Sequence, residues 1–139
     1  RDPITLAQID ALRAGHELDY LAAPNGELTE IPDTNATLTL VQATPGTSEI
    51  NPALVSEALA EGLKDNLADY QGTLLLSGGA TAEAVMRALG VTRFTLHGEC
   101  LPGLGLASSE GRCIIAKSGG FGGPDTLKTI ADMVLGRAI

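Results

Sequence analysis

The sequence predicts an α/β fold, a mostly parallel sheet flanked by helices in a single three-layer domain. Helical and strand patterns alternate along the chain. Two short apolar runs, Thr73-Leu74-Leu75-Leu76 and Cys113-Ile114-Ile115-Ala116, have the unbroken pattern of buried strands. Each run leads into a glycine turn and then a helix pattern, as expected where strands and helices wind alternately through one sheet.

From the N-terminus, Thr5-Leu6-Ala7-Gln8 has capping-box spacing, and Leu6, Ile9 and Leu12 follow on one face, so a helix is predicted to about Ala14. Glu17 to Ala22 reads as a short strand and Pro24-Asn25-Gly26 as a turn. Thr37 to Gln42 is a second strand candidate. Asn51-Pro52 opens the clearest helix, a capping residue followed by proline in the first turn, with Val55, Leu59, Leu63 and Leu67 as its apolar face. After the run at 73–76, Ser77-Gly78-Gly79-Ala80-Thr81 precedes a helix holding Val85, Ala88 and Leu89 and stopped by Gly90. Phe94-Thr95-Leu96 and Cys113 to Ala116 are further strands. The closing helix starts near Pro124 and carries Leu127, Ile130, Ala131, Val134 and Leu135 on one side.

With 139 residues and 44% hydrophobic content the chain can bury a real core, but aromatics make up only 3% and Trp is absent. The core therefore falls to Leu, Ile, Val and Ala. Nine basic against 17 acidic residues give a net charge of −8. No basic patch is present to neutralise a nucleic-acid backbone, which argues against a nucleic-acid partner, while a local turn can still bind a free nucleotide. The two cysteines, Cys100 and Cys113, lack metal-ligand spacing and read as buried, reduced thiols. No signal peptide and no apolar run of membrane-spanning length appear, so no membrane association and a cytoplasmic location are expected. The opening Arg1-Asp2-Pro3 has no initiator Met, and the chain reads as a piece of something longer.

Three glycine-rich segments follow predicted strands: Ser77 to Thr81, Pro102-Gly103-Leu104-Gly105, and Ser118 to Gly123. In open α/β sheets, ligands bind beyond the carboxyl ends of strands, where helices begin. Glycines let backbone N–H groups turn toward one point, and helix starts add unpaired N–H groups and the positive dipole end. The third segment also carries a lysine. Lys117-Ser118-Gly119-Gly120-Phe121-Gly122-Gly123 thus reads as a phosphate cradle, with Lys117 either a point charge toward phosphate oxygens or a surface lysine at a strand end. Tight turns without a ligand are the alternative for each glycine segment taken singly.

The known phosphate signatures do not match. Gly111 to Ser118 approaches a P-loop, but strand-like Cys113, Ile114 and Ile115 occupy the loop's place, and the glycines follow the lysine. Gly103-x-Gly105 has Ser108 where a dinucleotide fingerprint has its third glycine. Thr81 can donate to phosphate, cap its helix, or both. Glu99 can face a nucleotide or its Mg²⁺, or simply be solvated. Asp125 suits the first turn of its helix as a cap. His16 and His97 are isolated, and no catalytic or metal-ligand constellation stands out.

At these same segments the chain resembles the four-carbon acid sugar kinases, which include threonate, erythronate and 3-oxo-tetronate kinases. The resemblance rests on Ser77-Gly78-Gly79-Ala80-Thr81-Ala82 with Leu89-Gly90, then Gly98-Glu99 and Pro102-Gly103, then Lys117 to Gly122, in matching order and spacing. Asp2-Pro3-Ile4-Thr5 and Gln8-Ile9 look like the segment after the opening strand of that family's C-terminal nucleotide-binding domain. The likeness covers nearly the whole chain. It implies an ATP site lined by Gly78, Gly79, Ala80 and Thr81, with Gly103 in its wall, and phosphates cradled by Lys117, Ser118, Gly119 and Gly120. It also implies Mg²⁺, and a sugar acid bound by an N-terminal domain that these residues do not include. Family members often carry an acidic residue at the position of Ala80. The expected function is the ATP-binding part of a kinase acting on a hydroxyl of a four-carbon sugar acid, able to form a homo-oligomer and inactive as this chain alone. A non-catalytic nucleotide-binding module and an α/β interaction domain are the alternatives.

Overall fold

The computed structural model describes residues 3–28 and 37–136. Asp2, which contributes to the resemblance, lies outside that range. The elements run α1 (Pro3–Gly15), β1 (Asp19–Pro24), β2 (Thr39–Thr44), α2 (Pro52–Ala68), β3 (Thr73–Ser77), α3 (Gly79–Ala88), β4 (Thr95–Leu101), β5 (Leu104–Ser109), β6 (Arg112–Lys117) and α4 (Thr126–Val134).

The strands form two sheets, β1-β2 and β3-β6-β5-β4. Pairing is parallel between β1 and β2 and between β3 and β6, and antiparallel between β4 and β5 and between β5 and β6. The expected α/β class is present, and the larger sheet is mixed for one reason. Leu104 to Ser109, where the sequence predicts no strand, is a strand, and it makes β4, β5 and β6 a meander. Pro102-Gly103 is then a two-residue hairpin turn between Leu101 and Leu104, not a strand-to-helix junction. Glu110-Gly111 makes the next turn, between Ser109 and Arg112. The approach to a P-loop at Gly111 to Ser118 is accordingly a hairpin turn followed by β6.

Helices cover both faces of the larger sheet. Ala60 of α2 and Ala82, Ala84 and Val85 of α3 pack with Leu76 and Ile114 on one face. On the other, Ile9 and Leu12 of α1 meet Leu127 of α4 and Leu75, while Ile130 joins Leu104 and Ile115. Alternation along β3 and β6 explains the division, since neighbouring strand residues point to opposite faces. Leu40 of β2 joins the α1–α4 cluster, which ties the small sheet to the larger one.

Asn51 caps α2 as predicted, its side chain accepting from the Ala53 N–H at 2.9 Å. At the other end, buried Arg112 donates to Leu67 O and Ala68 O, placing a cation on the last carbonyls of the helix. Four expectations change. The run at 73–76 buries only Leu76 fully, because β3 is an edge strand. Cys100 and Cys113 are free thiols, but half-buried. Asp125 occupies the N-cap of α4 without a side-chain capping bond, and the Thr126 hydroxyl accepts from Gly123 N instead. Helix α1 already runs from Pro3, so Thr5 lies inside it and its side chain serves the loop described below.

Candidate functional site

The three glycine segments meet at one end of the larger sheet. Because β3 and β6 are parallel, with Ser77 opposite Lys117, their carboxyl ends lie side by side. The Gly78 N–H donates to Lys117 O at 2.7 Å, so the first and third turns are bonded to each other. Strand β5 runs the other way with Leu106 opposite Ile115, and continuing that register brings Leu104 opposite Lys117. The hairpin tip at Pro102-Gly103 therefore reaches the same edge. A Cβ on Gly103 would stand 2.9 Å from the Phe121 ring, which places the second turn against the third.

Each turn is shaped by its sequence. Gly78 has φ 98° and ψ 134°, outside the range of L side chains, and is the N-cap of α3. No side chain caps that helix end. A Cβ on Gly79 would meet nothing within 4 Å, so the backbone there faces open space and a ligand can approach closely. Ala80 is exposed in the first turn of α3. The Thr81 hydroxyl lies 3.4 Å from the Ser56 hydroxyl of α2, so it bridges two helices and does not cap its own. Gly103, at φ 84°, donates its N–H to the Glu99 carboxylate at 2.6 Å, which fixes the hairpin tip.

Lys117 is 2% exposed, and its ammonium donates to Ser118 O at 2.8 Å and Gly119 O at 2.9 Å. The charge thus lies beneath the turn and draws two carbonyls inward, while Ser118 and Gly120 are exposed and Gly119 half-buried.

Two residues of α1 complete this loop, and neither was singled out as a site residue from the sequence. The Thr5 hydroxyl donates to Gly119 O at 2.7 Å. The fully buried Gln8 amide donates to Phe121 O at 2.7 Å and Gly123 O at 2.9 Å. The Thr-x-x-Gln pattern that reads as a capping box clamps a loop more than a hundred positions away. The available signal was the resemblance itself, which included Thr5 and Gln8.

Helix α1 is held in turn to α4 by a buried pair. His16 Nε2 lies 2.6 Å from Asp132 Oδ1, and Lys128 Nζ donates to Asp132 Oδ2 at 2.9 Å. The hydrogen bond from Lys128, with that from His16, holds the Asp132 carboxyl below the ordinary carboxylate range against the opposing effect of burial. Among the described residues, no group of three His, Cys, Asp or Glu side chains is placed to hold a metal ion. No helix among them is long and apolar enough to cross a membrane.

The arrangement sets the uncapped start of α3 beside two further glycine turns at one end of the sheet, with the Lys117 ammonium beneath the third turn, and such a helix start suits a phosphate group. Residues 29–127 match the model of the nucleotide-binding C-terminal domain family. No curated protein matches the chain. Two crystal structures from Bordetella bronchiseptica, each described as a domain of unknown function (DUF1537) with bound citrate and a domain-swapped dimer, share the fold. One has a TM-score of 0.70 at 22% identity, covering 98% of this chain and 37% of that one. The other has a TM-score of 0.73 at 20% identity, covering 99% of this chain and 39% of that one. The chain thus spans under two fifths of the length of these structures. Both findings support the resemblance to the C-terminal domain of the four-carbon acid sugar kinase family. The chain belongs to the nucleotide-binding C-terminal domain family.

Proposed function

We propose that this chain is the ATP-binding domain of a kinase that phosphorylates a hydroxyl of a four-carbon sugar acid. The observation that carries the reading is the bond from Gly78 N to Lys117 O, which joins two strand–glycine–helix junctions into one edge, with Gly103 beside them. In this reading Gly78, Gly79, Ala80 and Thr81 receive the nucleotide at the start of α3. Ser118, Gly119 and Gly120 cradle its phosphates, Gly103 walls the site, and Lys117 holds the cradle from below. The uncapped start of α3 and the open space at Gly79 fit a phosphate group. Mg²⁺ arrives with ATP, held mainly by phosphate oxygens and water, as this ion prefers.

Phosphoryl transfer asks a protein for positioning and charge stabilisation more than for covalent chemistry. The residues here supply the donor side. The acceptor is assigned to a separate N-terminal domain, consistent with the greater length of the Bordetella structures. Their bound citrate, a small hydroxy acid with several carboxylates, belongs to the same chemical class as the proposed substrate. Their domain-swapped dimers favour a homo-oligomer for this chain, and the reading places it in the cytoplasm.

The test is phosphoryl transfer from ATP to a panel of four-carbon sugar acids, with and without the N-terminal domain in the same polypeptide. Transfer is expected only with that domain present. Nucleotide binding without transfer to any acid in the panel would overturn the kinase reading in favour of a non-catalytic module. Ala80 is the observation that favours that alternative, since it leaves the first turn of α3 without the family's frequent carboxylate.

A further inference from the structure

An open groove of about 440 Å³ lies along the flank of α3, lined by Gly79, Ala82, Glu83, Met86 and Arg87 of the helix and by Val91 and Phe94 of the segment that follows it. Its volume is within the range of small-molecule sites, roughly 300–1,000 Å³. The glycine turns do not line it except at Gly79, which belongs to both. It therefore adjoins the candidate phosphate site at that one residue.

We infer that this groove receives the purine base of the nucleotide, an assignment that rests on the ATP-binding reading. Its walls suit a flat heteroaromatic ring. Ala82, Met86 and Val91 are apolar, and Phe94 is 54% exposed although large hydrophobic residues usually seek cover. At the rim, Arg87 and Glu83 form an ion pair at 2.5 Å, offering a donor and an acceptor to the polar edge of a base.

The spacing also agrees. Met86 stands two helical turns beyond Gly79, about 10 Å along the axis. In a nucleoside polyphosphate a ribose and its first phosphates bridge such a gap, so phosphates at the start of α3 carry the base to Met86 and Phe94. A neutral base suits the apolar walls, whereas the phosphates stay at the helix start, where the dipole is favourable.

Phe94→Trp provides the direct test, because the chain has no other tryptophan. Its emission is measured against ATP with Mg²⁺ and against tripolyphosphate with Mg²⁺, which has the phosphates and lacks the base. Alongside, affinities of the parent and of Phe94→Ala are measured by calorimetry for both ligands. The expected result is an emission change with ATP and none with tripolyphosphate. Phe94→Ala should bind ATP about tenfold more weakly, in keeping with the loss of one base–aromatic stack, with tripolyphosphate affinity unchanged. If the parent binds ATP, yet the indole is silent and Phe94→Ala matches the parent, the base lies elsewhere and the inference is overturned while ATP binding stands. If neither ligand gives heat with the parent, both the inference and the reading beneath it are overturned.

Discussion

Gly78 and Lys117 are joined by a backbone hydrogen bond of 2.7 Å across the ends of two parallel strands, just where each strand gives way to a glycine turn. This contact turns two separate loops into one surface. Further, the amine of the same lysine holds the carbonyls of Ser118 and Gly119, so the residue that receives the bond also shapes the turn that follows.

The Gly78 backbone should not tolerate a side chain. At φ 98° an L residue is strained, so Gly78→Ala is expected to cost about 1–3 kcal/mol. Urea unfolding measures that loss, and nucleotide affinity should fall with it, because the start of α3 must shift to relieve the strain.

Lys117→Met keeps the bulk of the buried side chain and removes its charge. Two carbonyls then each lose one donor, Gly119 O keeping Thr5 and Ser118 O keeping the Phe121 N–H, with an expected loss of roughly 1–3 kcal/mol and weaker ATP binding as the turn relaxes. Thermal unfolding and calorimetry on one preparation test whether the two effects travel together. Unchanged stability with abolished binding would instead mean that the ammonium acts directly on phosphate.

Gln8→Leu should behave as a distant site mutation. The side chain is fully buried and holds Phe121 O and Gly123 O, and leaving these carbonyls without that donor should cost about 1–3 kcal/mol. ATP affinity is expected to drop severalfold although α1 belongs to none of the three glycine turns. Affinity equal to the parent's would remove the loop-clamping role.

Asp132 predicts a pH dependence. Its carboxyl is held below the ordinary range chiefly by Lys128 and then His16. It therefore contributes stability that is fully present above its unfolded pKa and is lost as pH falls through the lower folded value. Asp132→Asn should flatten the acid limb of stability against pH, measured by urea unfolding from neutral pH to strongly acidic solution.

Much of this architecture was legible in the sequence, and the exceptions have physical reasons. Asn51-Pro52 and the glycine junction at Gly78-Gly79 announce their helices because capping and turn chemistry are local. Strand β5 was not readable, since Gly105 and the small residues Ala107, Ser108 and Ser109 have little strand preference of their own, and pairing with β4 and β6 decides their state. The direction of Lys117 was hidden for a different reason. A sequence gives a charge, but not whether nearby carbonyls will hold it inside. Thr5 and Gln8 read as a local cap because their partners, Gly119, Phe121 and Gly123, are remote along the chain. The strand–glycine–helix order at two places did forecast two turns at one edge, and Gly103 joined them through a hairpin that the sequence did not show.

The central claim is that the turns at Gly78, Gly103 and Lys117 to Gly120 form a single nucleotide site. Isothermal titration of the chain with ATP and Mg²⁺, paired with a thermal-unfolding shift, tests it most directly. The account predicts saturable heat and a raised unfolding temperature, both diminished in Gly78→Ala. No heat and no thermal shift at millimolar nucleotide would contradict it.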